Sequence, residues 1–205
     1  MKKCLTCIIL AVIAANLNAQ EVKKLPQPDM QLNVTLMEAL RKRRSDREFN
    51  AERMISEQQL SQLLWAACGV NRADRKLLTI PTAINAQDIQ VYVCRKDGVS
   101  LYQPYDNTLV KVTDTDVREM LAERQQNMKT APLFLLIVSN QEKFRNKNEI
   151  YGAMDAGYSS QNICLMCAAL GLKTVPRAMM NKEGVAKALG LNEQQILELN
   201  HPIGY

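Results

Sequence analysis

The sequence predicts an α+β domain in which helices wrap a mixed or antiparallel central sheet. Three observations support this prediction. The turn signal at residues 96–98 (Lys-Asp-Gly) joins an alternating apolar segment to a second strand pattern, as in a β-hairpin. Residues 132–139 are almost wholly aliphatic, which is typical of a strand buried on both faces. Residues 149–170 predict a long helix that ends at Gly171 and packs against several neighbours or a second subunit.

The composition indicates one folded domain. The chain has 205 residues, of which 47% are hydrophobic and 23% are charged, so it can bury a substantial core. Its formal net charge of +5 is modest, and aromatic residues make up only 5% of it. A nucleic-acid-binding face usually combines spread basic residues with aromatic side chains. We therefore expect no nucleic-acid partner.

Residues 1–19 form a predicted signal peptide. Two lysines precede an apolar run at residues 8–15, and Ala19 offers a small residue for cleavage before Gln20. The run is too short to span a membrane, so we expect no membrane insertion once the segment is removed. The mature protein is then exported to the periplasm. The alternative is an uncleaved anchor.

The folded domain is predicted to occupy residues 35–205, after an irregular lead-in at residues 20–34. Thr35 and Glu38 form a capping-box pair ahead of a first helix, which fades near Arg44. The following elements, in chain order, are a helix over residues 60–68 after a second capping box at Ser56, strands at 89–95, 99–102 and 108–112, a helix at 114–126, a strand at 132–139, the long helix at 149–170, a strand at 173–179, a helix at 182–189 and a last strand at 196–203.

The strongest site signal is the arginine-rich segment that follows the first helix. In an extended chain, side chains two residues apart share a side, so Arg43, Ser45 and Arg47 converge. Arg44 and Asp46 then point the other way. Two guanidiniums and a hydroxyl can bind a phosphate through bidentate, charge-assisted hydrogen bonds. The alternative is a solvated helix end that complements the helix dipole.

A second candidate segment is the loop at residues 81–87, with the sequence PTAINAQ. Small side chains let a flat ligand approach the backbone, and the amides of Asn85 and Gln87 can hydrogen-bond its polar edges. The alternative is an ordinary loop before a strand, because such loops often have this composition. The sequence alone leaves both interpretations open.

The cysteines and the histidine predict no metal site. Cys164 and Cys167 have redox-motif spacing, but they lie in an apolar helical run, so we expect buried core thiols. His201 is the only histidine, and no second cysteine pair accompanies the first. A structural zinc site needs four such ligands.

Six motifs follow one another in an order that resembles the nitroreductase family of flavoproteins, over residues 35–205. Within that family the chain is similar to a short, exported branch related to the dehydrogenases that oxidise azoline rings. The motifs are Arg43-Arg44-Ser45-Asp46-Arg47 after a first helix, the helix at 60–68, the loop at 81–87, Asp155-Ala156-Gly157 with Gln161-Asn162 in the long helix, Leu170-Gly171-Leu172, and Pro202-Ile203-Gly204-Tyr205.

The resemblance implies an α+β homodimer that binds FMN at the subunit interface. It assigns the FMN phosphate to Arg43, Ser45 and Arg47, with a contribution from Arg44. The remaining implied contacts are Pro81, Thr82, Ala83 and Asn85 along the flavin ring and ribityl chain with Gln87 nearby, Gln125 as a polar contact, and the backbone of Pro176, Arg177, Ala178 and Met179 past the reactive edge of the flavin.

Two departures from the family pattern bear on the site. Members often have glycine or a small acidic pattern after the position of Pro176, whereas Arg177 and two methionines follow here, so we expect a different substrate pocket. Many members also place a basic residue near the C-terminus against the phosphate, but this sequence stops at Tyr205. Arg72, Arg75 and Arg177 are the candidates to replace that charge.

The function implied by the resemblance is that of an FMN-dependent oxidoreductase. Electrons pass, as a hydride, from a reduced donor such as NAD(P)H to a small organic acceptor such as a nitroaromatic or a quinone. The cofactor performs this chemistry, so no catalytic side chain is predicted. Nicotinamide dinucleotides are scarce outside the cytoplasm, so either another reductant serves or the protein oxidises a substrate and passes the electrons on. This leaves open the alternative of a non-catalytic exported flavin-binding or interaction protein. A separate alternative is a thiol redox protein that uses Cys164 and Cys167.

Overall fold

The fold is given by a computed structural model that describes residues 20–205. The predicted signal peptide, residues 1–19, lies outside the described residues. The elements in chain order are β1 (Val22–Lys24), α1 (Leu36–Lys42), α2 (Glu57–Cys68), β2 (Val70–Arg72), β3 (Leu77–Leu78), β4 (Ile89–Arg95), β5 (Gly98–Gln103), β6 (Thr108–Thr113), α3 (Arg118–Ala122), β7 (Leu133–Asn140), α4 (Glu149–Leu170), β8 (Lys173–Thr174), α5 (Lys182–Leu189) and β9 (Gln195–Gly204).

The predicted α+β class is confirmed, and the central sheet is antiparallel. Seven strands lie in the order β1-β6-β5-β4-β7-β9-β8, and all of these neighbours within residues 20–205 pair antiparallel. A second, two-stranded sheet joins β2 and β3. Of the two predicted alternatives, mixed and antiparallel, the structure therefore has the antiparallel sheet.

Strand β7 divides the core into two layers. Leu133, Leu135 and Ile137 pack on one face of the sheet with residues of α2 and α4. Phe134 and Leu136 pack on the opposite face with residues of α3 and α5. Side chains of a strand alternate between its two faces, so an aliphatic run without polar interruption is what two covered faces require. The predicted doubly buried strand is confirmed.

The two main helices begin and end where the sequence predicts. Ser56 and Gln59 form a full capping box at the start of α2. Helix α4 spans Glu149–Leu170 and ends at Gly171, whose φ of 69° is the left-handed conformation that glycine adopts without strain. Across residues 20–205, no helix has both the length and the hydropathy of a membrane span.

The predicted helix at residues 114–126 is wrong in extent. Helix α3 covers only Arg118–Ala122, and Glu123 leaves the helix with a φ of 50°. Side chains compete for the backbone before the helix, because the amides of Thr115 and Arg118 donate to Thr113 Oγ1 (3.2 Å) and Asp116 Oδ1 (3.0 Å). A 3-10 turn at Gln126–Thr130 follows instead of further helix.

Two further differences concern short strands. The predicted strand at 173–179 is reduced to β8 and one isolated bridge between Arg177 and Asn200, since Pro176 has no amide hydrogen to donate to a ladder. The lead-in is not irregular throughout: β1 pairs with β6, and Leu25 beside it is buried in the core. Three residues with two lysines do not show the alternation that would predict a strand.

Candidate functional site

The arginine-rich segment is extended from the residue that ends α1. Arg43 caps the helix with φ −58° and ψ 123°, and Arg44 Nε then pairs with Asp46 Oδ2 at 3.0 Å. Arg43, Ser45 and Arg47 take the alternate positions, and their side chains form no hydrogen bond or ion pair with any residue of the described chain. These three side chains are thus free to bind an anion.

The backbone of this segment is fixed although its side chains are free. The amide of Asp46 donates to Thr174 O (3.0 Å), and Asn127 Nδ2 donates to Arg47 O (3.0 Å). These bonds hold the segment against β8 and the turn after α3. A cavity of about 490 Å³ lies on the Arg44 side, between this segment and the end of α4. Arg43 is among its lining residues, whereas Ser45 and Arg47 are not, so the cavity adjoins only one of the three unpartnered side chains.

The loop at residues 81–87 is strained. Ile84, Asn85 and Gln87 have φ values of 51°, 57° and 52°. A left-handed conformation is costly for a β-branched residue such as isoleucine, and Ile84 is 72% exposed, so burial of its side chain does not offset the cost. Strain of this kind persists where the surrounding contacts impose it, and it clusters at functional sites.

Five hydrogen bonds impose the shape of this loop. Ala83 N donates to Asp155 Oδ2 (2.9 Å), and Gln87 N donates to Thr82 Oγ1 (3.0 Å). The side-chain amide of Gln87 donates to Lys76 O (2.8 Å) and accepts from the hydroxyl of Tyr105. Gln87 also donates to Asn85, at 3.3 Å, so both of its amide hydrogens are used inside the protein. Gln87 therefore stabilises the loop, and its predicted position near the ligand stays a prediction.

Two buried carboxyl groups lie beneath the loop. Asp88 is 0% exposed and Asp155, on α4, is 2% exposed. Ser139 Oγ donates to Asp88 Oδ2 at 2.5 Å. The pKa of Asp88 is raised to about 7, chiefly by burial and also by the facing carboxyl of Asp155, against the lowering effect of the Ser139 bond. Sequence reasoning assigned no role to either acid, although Asp155 falls on the inward face of α4 with Gly152 and Ala156.

Arg177 is a buried structural residue, which corrects its predicted contact with the cofactor. It is 7% exposed, and its guanidinium donates to Gln125 Oε1 (2.8 Å), Leu121 O (2.7 Å), Ala122 O (3.0 Å) and Asn200 Oδ1 (2.8 Å). Its backbone amide donates to Asn200 O (2.9 Å). Arg177 therefore has no free donor with which to replace the C-terminal basic residue of the family pattern, and its backbone amide is already bonded. The side-chain oxygen of Gln125 already accepts a hydrogen bond from Arg177.

The other residues of the segment 176–179 differ from Arg177 in solvent exposure. Pro176, Ala178 and Met179 are exposed, in contrast to Arg177 between them. The amides of Ala178 and Met179 take part in no backbone hydrogen bond within the described chain. They are the donors that this segment can offer to a bound ring.

The predicted site residues form two groups within one chain. Arg43–Arg47, the turn at Gln125–Asn127 and the segment after β8 are joined by the hydrogen bonds given above. The loop at 81–87 is joined instead to Asp155. Arg43 lies close enough to Cys164 that its charge opposes the rise in the pKa of that thiol caused by burial. Asp155 and Cys164 are nine residues apart on α4, a rise of ~14 Å, so the two groups meet different halves of this helix.

The outer surface of α1 and α4 is apolar. Ile150, Met154 and Tyr158 repeat at four-residue spacing along α4 and are 72%, 50% and 43% exposed. Leu36 and Met37 are also exposed, on α1. We call the three residues of α4 the apolar stripe. Such a patch on a folded domain usually marks an interaction surface.

The cysteines in the long helix are core thiols, as predicted. Cys164 and Cys167 are both buried, and burial raises the pKa of each thiol above its usual value. A thiol kept protonated is a poor nucleophile, so the arrangement does not favour a thiol redox site. His201 is fully buried between Ser160 and Thr174, and burial lowers its pKa to about 3. Among residues 20–205, no group of three or more potential metal ligands is found.

Comparison with known proteins identifies the family. The sequence profile described as "Nitroreductase family" matches residues 40–205. A protein of Methanocaldococcus jannaschii, provisionally named a nitroreductase, is 30% identical over 190 residues, which cover 86% of this chain and 93% of the relative. A crystal structure from Ralstonia eutropha JMP134, also provisionally named a nitroreductase, superposes with a TM-score of 0.82 at 34% identity, covering 89% of this chain and 88% of that one.

A more distant structure has the same fold. It is a nitroreductase-like protein of Desulfovibrio desulfuricans solved in complex with FMN, with a TM-score of 0.60 and 21% identity over 82% of this chain and 84% of that one. The profile match covers most of the present sequence, and the antiparallel sheet wrapped by helices agrees with it. The chain belongs to the nitroreductase family of oxidoreductases.

Proposed function

We propose that this protein is an FMN-dependent oxidoreductase that passes electrons from a reduced donor, such as NAD(P)H, to a small organic acceptor of the nitroaromatic or quinone class. The observation that carries the proposal is the set of three unpartnered side chains, Arg43, Ser45 and Arg47, on a segment whose backbone is fixed. The flavin supplies the hydride and electron transfer when it is bound. The protein binds it, orients it and excludes water from it.

The three side chains fit the phosphate of FMN. A phosphate monoester carries nearly two negative charges and offers several acceptor oxygens. The guanidiniums of Arg43 and Arg47 donate paired hydrogen bonds to such a group, and the hydroxyl of Ser45 adds one more. Arg44 is paired with Asp46, so its contribution comes from its backbone or from long-range charge. Holding the segment in advance reduces the entropy lost when the phosphate binds.

The loop at residues 81–87 fits the flat part of the cofactor. Pro81, Thr82 and Ala83 present small side chains, and the Nδ2 group of Asn85 stays available for a polar ring edge. The amides of Ala178 and Met179 are suitable donors to the reactive edge of the ring. Backbone donors aimed at that edge stabilise negative charge that develops there.

We propose that two copies of the chain complete the site. The arginine-rich segment and the loop at residues 81–87 meet different halves of α4. The apolar stripe offers a surface for a second copy, and its Met154 and Tyr158 lie on the same helix as Asp155 beneath the loop. A homodimer would bring the loop of one copy towards the arginines of the other.

The double substitution R43A/R47A tests the phosphate site. Hydrogen bonds to charged groups contribute ~1.5–3 kcal/mol each, so the dissociation constant for FMN should rise by at least about 100-fold. Flavin fluorescence titration of the apoprotein measures this constant. K143A/R145A removes two exposed cations elsewhere and should leave FMN affinity unchanged. Equal affinity of the two double variants would show that the phosphate lies elsewhere.

We also propose that the mature protein is periplasmic and begins at Gln20. Nicotinamide dinucleotides are scarce there, so NAD(P)H serves as the donor only where it is supplied. In the periplasm either another reductant serves, or the protein oxidises a substrate and passes the electrons on. The intact mass of protein recovered from the periplasmic fraction should match a chain that starts at Gln20. A mass that includes residues 1–19 would contradict cleavage.

A further inference from the structure

One buried carboxylate holds the strained loop to the long helix. Asp155 Oδ2 accepts the amide hydrogen of Ala83 at 2.9 Å, one residue before the left-handed Ile84. Asp155 is almost fully buried, so water does not compete for this bond. A hydrogen bond from a backbone amide to a buried carboxylate is about twice as strong as one between neutral groups. The shape of the loop therefore depends on the position and charge of Asp155.

Asp155 faces a second carboxyl group that lacks a full set of donors. Asp88 Oδ2 accepts from Ser139, but Asp88 Oδ1 is buried without a hydrogen-bond donor in the described residues. Ser139 cannot supply another hydrogen, because its only hydroxyl hydrogen is already donated. Ser139 in turn accepts from Gln141 Nε2 (2.7 Å), and Gln141 Oε1 accepts from the amide of Asn148 (2.8 Å). Ser139 and Gln141 are thus bonded to each other, and Ser139 has no further hydrogen to offer Asp88.

A proton shared between the two carboxyl groups would supply the missing donor. Two carboxylates facing each other out of water cannot both be ionised without a large cost in free energy, whereas one proton between them satisfies Asp88 Oδ1 and leaves one charge. Ser139 of β7 and Gln141 after it are the neutral groups on this side of Asp88. The charged group that faces Asp88 from α4 is Asp155. No lysine, arginine or histidine of residues 20–205 forms an ion pair with either acid.

We propose that Asp88 and Asp155 share one proton and that Asp155 is thereby a positioning residue, which holds the loop at residues 81–87 in the shape required by the flavin ring. This inference rests on the proposed function for its role in cofactor binding, but the coupling of the proton to the loop stands on the contacts within the chain. Loss of the proton leaves two negative charges in one buried place. Asp155 is then repelled from Asp88, and the Ala83 bond and the loop loosen.

Amide hydrogen exchange of the apoprotein tests this coupling without any cofactor. Protection factors, corrected for the intrinsic exchange rate, are measured for residues 81–87 between about pH 5.5 and about pH 8.5. Wild-type protection should fall by about tenfold over the alkaline part of this range, where the proton leaves. In D88N the amide replaces the shared proton as donor, so protection should stay high and independent of pH. D155A removes the acceptor of the Ala83 amide and should lower protection at every pH.

The control is D74N, which removes an exposed carboxylate outside the loop and should behave as the wild type does. If D88N keeps the wild-type dependence on pH, the shared proton does not govern the loop. If D155A leaves protection unchanged, Asp155 does not position it. Should D155A fail to fold, the D88N comparison still decides the proposal.

FMN affinity provides the second arm of the experiment. At alkaline pH, where the shared proton leaves and the Ala83 bond weakens, the dissociation constant of the wild type for FMN should rise by about fivefold or more. The phosphate of FMN itself titrates near about pH 6, so the decisive quantity is the difference between wild type and D88N across the same pH range. Absence of FMN binding at all pH values would overturn the proposed function and leave the exchange result standing. Binding with identical pH dependence in wild type and D88N would overturn the present inference.

Discussion

At the scale of single residues, the most informative group is the carboxyl of Asp88. Its burial is complete and its nearest charged neighbour is another acid, so its protonated form is favoured in the folded state. In the unfolded chain the same group has a pKa of about 3.9. The difference makes the stability of the fold depend on pH in a direction opposite to that of a salt-bridged carboxylate.

The predicted effect of Asp88 on stability has a definite sign. The folded-state pKa is raised to about 7, so between about pH 4 and about pH 7 the folded protein holds a proton that the unfolded chain has released. The contribution of Asp88 to the free energy of unfolding should therefore fall by up to about 1.4 kcal/mol per pH unit over that window and level off above it. Urea denaturation of wild type and D88N at several pH values measures the difference. Equal slopes in the two proteins would contradict the raised pKa.

Arg177 shows what residue-level sequence reasoning misses. A lone arginine after a proline in a family motif suggested contact with the cofactor or its phosphate. The structure instead surrounds its guanidinium with Gln125, Asn200 and two carbonyl oxygens of α3, all neutral. These partners come from segments 23 to 56 positions away, so no local pattern could have revealed them.

At the scale of elements, α4 is the frame on which the site is built. Its inward face carries Asp155, which accepts a hydrogen bond from the loop at residues 81–87, and Cys164, which lies near Arg43. Its outward face carries the apolar stripe. One helix therefore sets the distance between the two parts of the site and also presents the surface proposed for the second copy.

The β4–β5 hairpin depends on a single glycine. Gly98 has a φ of 118°, and a Cβ there would lie 2.1 Å from Thr113 O, on the backbone of the adjacent strand. G98A should therefore lower the free energy of unfolding by at least about 2 kcal/mol, through strain and a steric clash. Thermal and urea denaturation measure the change.

Gly157 provides the matched control for that substitution. It lies in α4, and a Cβ there meets no atom within 4 Å, so G157A should leave stability unchanged or raise it by up to about 1 kcal/mol. A G98A variant as stable as G157A would mean that the hairpin does not have the described geometry.

Elements with local signals could be predicted, and elements fixed by distant contacts could not. The ends of α2 and α4 follow from a capping box and a terminal glycine, which act within one turn. Strand β1 is formed because it pairs with β6, more than 80 residues away. Its own three residues show no pattern that would predict a strand. In the site, the arginine alternation follows from extended geometry. The Asp88–Asp155 contact depends on how α4 crosses the sheet, and the sequence pattern does not determine this.

At the scale of the whole molecule, the proposed site has two parts. The strained loop and the arginine-rich segment meet different halves of α4. The apolar stripe is on the solvent-exposed side of the same helix. Burial of that stripe in a dimer would remove apolar surface from water, which stabilises association by ~25 cal/mol per Å² before the costs of association are subtracted. The central claim is that FMN is bound between two copies.

Native mass spectrometry of the purified protein tests this claim most directly. The variant M154E places a charge in the apolar stripe, and M30E is a matched control at an exposed methionine outside the stripe. The account predicts two chains with two FMN for wild type and M30E, and a flavin-free monomer for M154E. A wild-type monomer that carries a full complement of FMN, or a dimer that binds none when FMN is in excess, would contradict it.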